Sequence, residues 1–203
     1  MRILPLADAG LLVELDDLES VHALYAALSR SHLPGVTNLV PAARTLLLQL
    51  DPRHADPAEL ERVVRETRPD PEGVPEKELV RVPVVYDGAD LGEVAELTGL
   101  TERGVITEHT GTDWTVAFGG FAPGFGYLAG GSPRLEVPRR SESRTRVPRG
   151  AVGLAGKFSG IYPRSSPGGW RLIGRTELEI WRTDRQPPAL LRPGVRVRFE
   201  EAR

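Results

Sequence analysis

Arg139, Arg144 and Arg146 stand in the run Arg139-Arg-Ser-Glu-Ser-Arg144-Thr-Arg146-Val-Pro148, and the two-residue spacing of the last pair puts both on one face of an extended strand. Their planar guanidinium forks suit a carboxylate or a phosphate. Upstream, Phe121-Ala-Pro123-Gly124-Phe125-Gly126-Tyr127 sets three aromatic rings around glycines that permit positive φ and close approach of the backbone to a ligand. Exposed amides in such a loop can form an anion-accepting nest. Ser159-Gly-Ile-Tyr162-Pro and Ser166-Pro-Gly-Gly-Trp170 add hydroxyls and two further aromatics beside tight turns, and Lys157 is one of only two lysines in the chain. The chemistry these residues suggest is recognition of a small anion. The candidate binding residues are Pro123, Gly124, Tyr127, Arg139, Arg144, Arg146, Lys157, Ser159, Tyr162 and Trp170, with no catalytic residue assigned.

A plainer reading stands beside each of these. Glycine and proline punctuate turns, and arginines on an edge strand keep it soluble. Phe125, Phe158 and Trp181 read as core, and His109, at the end of a helical stretch, reads as a partner of the helix dipole. Other motifs fail on context. Gly124-Phe-Gly126-Tyr-Leu-Ala129 has the letters of a dinucleotide loop, but Gly130, Gly131 and Pro133 leave no helix after it. Gly156-Lys157 has the end of a P-loop, but Ala151 replaces the required glycine and Phe158 the magnesium-binding hydroxyl. The four histidines lack ligand spacing, so no metal site is expected. A Gly-x-Ser-x-Gly elbow is missing. Aromatics are not interleaved with the arginines, which argues against nucleic acid.

The elements that must position these residues fall into two compositions. Residues 1–110 hold 20 Asp/Glu against 10 Lys/Arg, whereas Phe118 to Gly174 holds nine basic residues against Glu136 and Glu142, together with 13 of the 22 glycines. In the first part, strand-like Leu11–Leu15 precedes a helix carrying Val21, Leu24, Tyr25 and Leu28 behind a Ser20 cap. Strands at Val36–Val40 and Thr45–Leu50 follow, then a helix opened by Asp56-Pro57. Three prolines and a glycine in Arg68–Pro75 mark a linker. Residues 1–75 are thus expected to form a small α+β sandwich. Beyond it, a strand over Leu79–Tyr86, with Pro83 at an edge or bulge, precedes helices from Leu91 to Leu97 and from a Thr101 cap to about His109. Short runs at Trp114–Phe118, Val152–Ala155, Arg171–Gly174, Leu178–Trp181 and Val195–Phe199, separated by Gly/Pro turns, predict a barrel or sandwich over residues 79–203. No stretch is apolar enough to span a membrane, and Pro5 and Asp8 interrupt any signal-peptide core, so the protein is expected in the cytoplasm. With no cysteine, disulfides and thiolate chemistry are excluded.

Several ordered motifs carry a resemblance: Gly120-Phe-Ala-Pro-Gly-Phe-Gly-Tyr-Leu-Ala-Gly130, Val137-Pro-Arg139, Arg144-Thr-Arg-Val-Pro148, Val152-Gly-Leu-Ala-Gly156, Ser159-Gly-Ile-Tyr-Pro163 and Ser166-Pro-Gly-Gly-Trp-Arg-Leu-Ile-Gly-Arg-Thr176. With Leu11–Glu14, Pro34–Val36, Val40-Pro41, Leu46–Pro52 and a run from Leu190 to Gly194, they extend the likeness over nearly the whole chain. The sequence resembles the B subunit of prokaryotic 5-oxoprolinase, a family also called allophanate hydrolase subunit 1-like, which includes a Kip-type inhibitor of a sporulation histidine kinase. The resemblance implies an N-terminal α+β domain followed by a cyclophilin-like, mainly antiparallel β-barrel. It implies a protein that is inactive alone and works with two partners, a companion cyclophilin-like C subunit of the same complex and an oxoprolinase-type A subunit. The complex would open 5-oxo-L-proline to L-glutamate using ATP, for which this chain has no Walker loop. Alternatives within the family are kinase inhibition and a carboxyltransferase-like role in a urea or allophanate amidolyase; peptidyl-prolyl isomerase activity rests on fold analogy alone. Ala122 stands for a usual leucine, Gly126 for a proline, and Lys157-Phe158 for a glycine-glutamine pair, so the substrate can differ from the family's typical one.

Overall fold

The structure is a computed structural model that describes residues 1–70 and 78–202. It divides into two compact units, Met1–Pro75 and Glu76–Arg203. The linker expected at Arg68–Pro75 lies mostly outside the described residues.

In the first unit, strands β1 (Arg2–Pro5), β2 (Gly10–Glu14), β3 (Val36–Pro41) and β4 (Thr45–Leu50) form an antiparallel sheet in the order β1-β2-β4-β3, with helices α1 (Leu18–Ser29) and α2 (Pro57–Glu66). Alternation along β2 and β4 turns Leu11, Val13, Leu46, Leu48 and Leu50 inward, where they meet Val21, Leu24 and Leu28 of α1 and Leu60 and Val64 of α2. The cap of α1 is Asp17 and not Ser20, because the Asp17 carboxylate accepts the Ser20 amide at 2.8 Å. Asp56 caps α2 as expected, accepting from Ala58 and Glu59 at 3.0 and 3.3 Å.

The second unit is mostly β. Its elements are β5 (Leu79–Val84), α3 (Leu91–Thr98), α4 (Glu102–Thr110), β6 (Trp114–Gly119), β7 (Gly126–Ala129), β8 (Arg144–Val147), β9 (Ala151–Ala155), β10 (Phe158–Ile161), β11 (Ser166–Gly168), β12 (Arg171–Arg175) and β13 (Arg196–Glu201). Seven strands form one sheet in the order β12-β9-β10-β7-β6-β13-β5, antiparallel throughout except for the parallel pair β13–β5. The two end strands nearly meet: just past β5, Val85 exchanges both backbone hydrogen bonds with Arg175, each at 2.9 Å, and the Asp90 amide donates to Leu172 at 2.9 Å. The sheet is therefore barrel-like and almost closed. Pro83, which has no amide to donate, sits on β5 just before these closing bonds.

Inward residues of the strands, including Val82, Val84, Trp114, Val116, Leu128, Leu154, Ile161, Ile173, Val197 and Phe199, fill the core with Val94 of α3 and Val105 of α4. Gly99 in the left-handed region (φ 67°) ends α3, and the Thr101 hydroxyl accepts the Gly104 amide at 3.0 Å to start α4. Strands β8 and β11 form a separate two-stranded ribbon. Leu178–Trp181, expected as a strand, makes only an isolated bridge between Trp181 and Ala189, because the Arg182–Pro188 turn follows at once and brings Leu190 back onto the Ile180 carbonyl at 2.9 Å.

Candidate functional site at the ribbon and aromatic loop

The loop between β6 and β7 is closed by its own backbone, with the Ala122 amide donating to Gly120 at 2.7 Å and the Phe125 amide to Ala122 at 3.0 Å. This tight turn holds Phe121 at φ 65°, a left-handed conformation that side chains seldom adopt, and leaves it 58% exposed. Gly124 (φ 83°) is required here: a Cβ would lie 2.7 Å from Cβ of Trp181, whose side chain packs over the loop. Behind the loop stands an aromatic wall. Tyr127 stacks on Phe118 at 4.5 Å, and Phe158, Phe125 and Trp170 meet Tyr127 edge-on at 5.7, 5.1 and 5.5 Å. The dinucleotide-like letters Gly124–Ala129 thus end in a strand, and Gly156-Lys157 lies in the β9–β10 hairpin, followed by a strand and not by a helix.

The ribbon is stitched to the barrel by charge. Asp90, directly before α3, is buried, and its side chain makes no hydrogen bond to the helix amides it precedes. Its carboxylate instead accepts from Arg144 twice, at 2.8 and 2.9 Å, from Arg140 at 2.8 Å and from the Leu172 amide at 2.7 Å. Burial alone would raise its pKa; the hydrogen bonds from Arg144 and Leu172 and the charges of Arg144 and Arg140 override that and hold it below the usual carboxylate value. Buried Arg171 donates from Nε to the Pro138 carbonyl at 2.9 Å and pairs with Glu93 at 2.5 Å. The Arg140 amide donates to Gly169 at 2.9 Å, so the chain on both sides of the ribbon is fastened.

Tyr162 connects ribbon and wall. Its ring meets Phe125 edge-on at 5.5 Å, and its hydroxyl lies so close to Gly168 that a Cβ there would sit 2.2 Å from Oη. Burial raises its pKa, opposed by a hydrogen bond from the backbone of Trp170 and by the charge of Arg139 and Arg144. The charges of two of the three arginines singled out from the sequence thus reach this hydroxyl, although Arg144 gives its hydrogen bonds to Asp90. The third diverges: Arg146 donates to Ser165 Oγ at 3.3 Å. Alternate positions along β8 share a face, yet Arg144 turns to Asp90 and Arg146 to Ser165, so the two have no common partner.

The other candidates separate into exposed and enclosed groups. Pro123, Arg139, Arg146 and Lys157 are exposed, Lys157 lying 5.9 Å from the Phe158 ring centre. Tyr127 and Gly124 are partly exposed, whereas Tyr162 and Trp170 are packed in the aromatic core. Ser159 faces the barrel interior. It meets His109 Nε2 at 2.9 Å and donates to the Gly153 carbonyl at 3.4 Å. His109 is fully buried, bonded through Nδ1 to Tyr86 Oη at 2.8 Å and stacked on Phe199 at 4.1 Å, and burial pushes its pKa down to about 3. It is a neutral link in an internal chain and not the cationic helix-dipole partner expected. Phe125 is core as expected, but Trp181 is 37% exposed, because the turn after it turns the ring outward over Gly124. Sequence reasoning missed Asp90, Arg140, Glu93 and Arg171. Their signal was the charge imbalance itself, since so basic a window calls for carboxylates from elsewhere. Among the described residues no group of three or more His, Asp or Glu could hold a metal ion, and no helix is long and apolar enough to cross a membrane.

The family model of the carboxyltransferase domain, subdomain C and D, matches residues 1–191. The chain is 40% identical over 171 residues to the B subunit of 5-oxoprolinase from Escherichia coli O157:H7, covering 82% of this chain and 78% of that one. The chain belongs to the family of 5-oxoprolinase B subunits. A second member, from Bacillus subtilis strain 168, is 37% identical over 196 residues, 88% of this chain and 81% of its own. The crystal structure of TTHA0988 superposes with a TM-score of 0.79 at 38% identity, covering 96% of this chain and 40% of that chain. The present chain thus spans less than half the length of that protein.

Proposed function

We propose that this chain is the B subunit of an ATP-dependent 5-oxoprolinase complex that opens 5-oxo-L-proline to L-glutamate. In this reading it is inactive alone and acts in the cytoplasm with two partners, an oxoprolinase-type A subunit plus a companion C subunit. The observation that carries the reading is the 40% identity to a protein named as the B subunit of 5-oxoprolinase, sustained over 82% of the chain. The site chemistry agrees with it. Hydrolysis of a lactam needs an activated carbonyl, breaks the ring C–N bond and passes through anionic species, which a guanidinium donor stabilises. Arg139 is exposed and its charge reaches Tyr162, one edge of an aromatic wall that can cover the apolar face of a five-membered ring. In this reading ATP is bound by a partner; the P-loop-like letters Gly156-Lys157 lead into strand β10. Arg139, Tyr127 and the loop around Pro123 and Gly124 are the proposed ligand contacts, with Lys157 and Arg146 at the margin.

The test is reconstitution. This chain alone should release no glutamate from 5-oxo-L-proline, and the three subunits with ATP should release it. Omission of this chain should abolish the reaction. A complete set that consumes neither ATP nor 5-oxo-L-proline removes the proposal.

A further inference from the structure

Asp90 has the residue type and position of a helix cap, yet its carboxylate turns away from α3 and directs its hydrogen-bonding capacity to two arginines and the Leu172 amide. Asp, Asn, Ser and Thr are favoured before a helix because their side chains satisfy the first amides. Forgoing that bond while burying a charge is costly unless the charge is fully paired. Here it is paired, and by residues that hold the segment carrying Arg139. Arg140 adjoins Arg139, and Arg144 begins β8, which pairs with β11 through Arg144 and Gly168. Gly168 in turn lies against the Tyr162 hydroxyl. One carboxylate on the barrel thereby fixes β8 directly and β11 through its pairing with β8.

We infer that Asp90 is a positioning residue for anion binding: it neutralises and clamps Arg140 and Arg144 so that the adjoining, exposed Arg139 is held at the foot of the ribbon and open to a ligand. This rests on the reading of the site as the 5-oxoproline-binding surface. Asp90 itself is buried and taken up by Arg140, Arg144 and the Leu172 amide, so its removal acts on affinity through the geometry of the ribbon. Bidentate Arg–carboxylate pairing fixes direction as well as distance, which a lysine or a neutral acceptor does not reproduce.

The experiment uses Asp90→Asn, which keeps volume and loses charge, in the full chain and in the reconstituted complex of three subunits. Amide hydrogen exchange over residues 139–147 and 166–171 should quicken at least ~10-fold while β9 and β13 exchange as in the wild type. In the complex, KM for 5-oxo-L-proline should rise ~10-fold with kcat changed less than ~3-fold, the signature of lost ground-state binding. Unchanged exchange in the ribbon, or a fall in kcat with KM unmoved, overturns the inference. If Asp90→Asn gives no cooperative melt, Arg140→Gln carries the same test, since it leaves the bidentate Arg144 pair: a ~3-fold rise in KM with faster ribbon exchange supports the clamp, and wild-type values for both overturn it. Should the wild-type complex show no oxoprolinase activity, the functional reading fails, and the exchange measurement still decides whether Asp90 clamps the ribbon.

Discussion

The two units treat charge in opposite ways. In Met1–Pro75 ion pairs lie at the surface, such as the Arg62 bridges to Glu59 and Glu66 and the Arg65 bridge to Glu61 along α2, and the core is aliphatic. Among the described residues the buried polar ones are Asp90, His109, Ser159, Arg171 and Thr176, and all of them lie in Glu76–Arg203. Surface pairs contribute ~0–1 kcal/mol each, because water already solvates both partners. Buried ones are high-stakes: intact, they fix one arrangement, and with one partner gone they leave a charge that nothing compensates. The first unit is built for stability by apolar packing; the second accepts the hazard of buried charge where the ribbon must be held in place.

Mutations should expose that contrast, and the largest effect is expected at Asp90. Asp90→Ala should lower stability by ~2–3 kcal/mol, since Arg144 would lose its counter-ion while Arg140 keeps Glu93 at 3.7 Å and water reaches both guanidiniums; urea unfolding followed by tryptophan fluorescence reads it, as all three tryptophans lie in the second unit. A loss below ~1 kcal/mol would place this cluster with the surface pairs and erase the contrast.

Acid should act next, through His109. Its folded pKa is depressed to about 3 from 6.5, so the unfolded chain takes up a proton first as pH falls. The stability it contributes is complete above pH 6.5 and is lost on acidification at up to ~1.4 kcal/mol per pH unit, until the folded form also protonates near pH 3. His109→Gln should flatten that slope, while the carboxylate titrations that remain set the residual one. A pH profile identical in wild type and variant would show that the buried chain through Tyr86 and Ser159 tolerates the charged ring.

A smaller loss is expected at Gly168. Alanine there would place Cβ 2.2 Å from the Tyr162 hydroxyl, and relief requires the ring or β11 to shift, at ~1–3 kcal/mol. The melting temperature should fall, and near-UV circular dichroism should report a displaced tyrosine. Smallest of all, Arg62→Ala on α2 should change stability by less than ~0.5 kcal/mol, with any effect fading in high salt.

Much of the fold was legible because apolar periodicity and caps are local signals. Thr45–Leu50 is β4 to the residue, Asp56-Pro57 opens α2, and Gly99 and Thr101 separate α3 from α4. Ser20 does not cap α1 because Asp17, three residues earlier, is an equally good acceptor and local preference cannot rank them. The short strands β7, β8, β10 and β11 carry glycine, serine or arginine in place of a clear alternation, and they exist because a neighbour supplies the pairing. The candidate site was legible as composition and not as geometry. Arginine spacing showed where cations gather but not which would be paired internally, since Asp90 lies 54 positions before Arg144 in the chain and nothing local links them. Ser159 and His109 were likewise opaque: a hydroxyl beside glycine and a histidine at a helix end look exposed until the barrel closes around both.

The parallel pairing of β13 with β5 has a consequence for biosynthesis. A ribosome emits β5 and β6 long before β13, which lies between them and hydrogen-bonds to both. Until that late segment emerges, two strand edges in the nascent second unit have no neighbour and are open to pairing with another chain. The first unit, whose strands pair within its own short stretch, faces no such wait. Chaperone dependence during synthesis should accordingly concentrate in the interval between translation of residue 119 and residue 196.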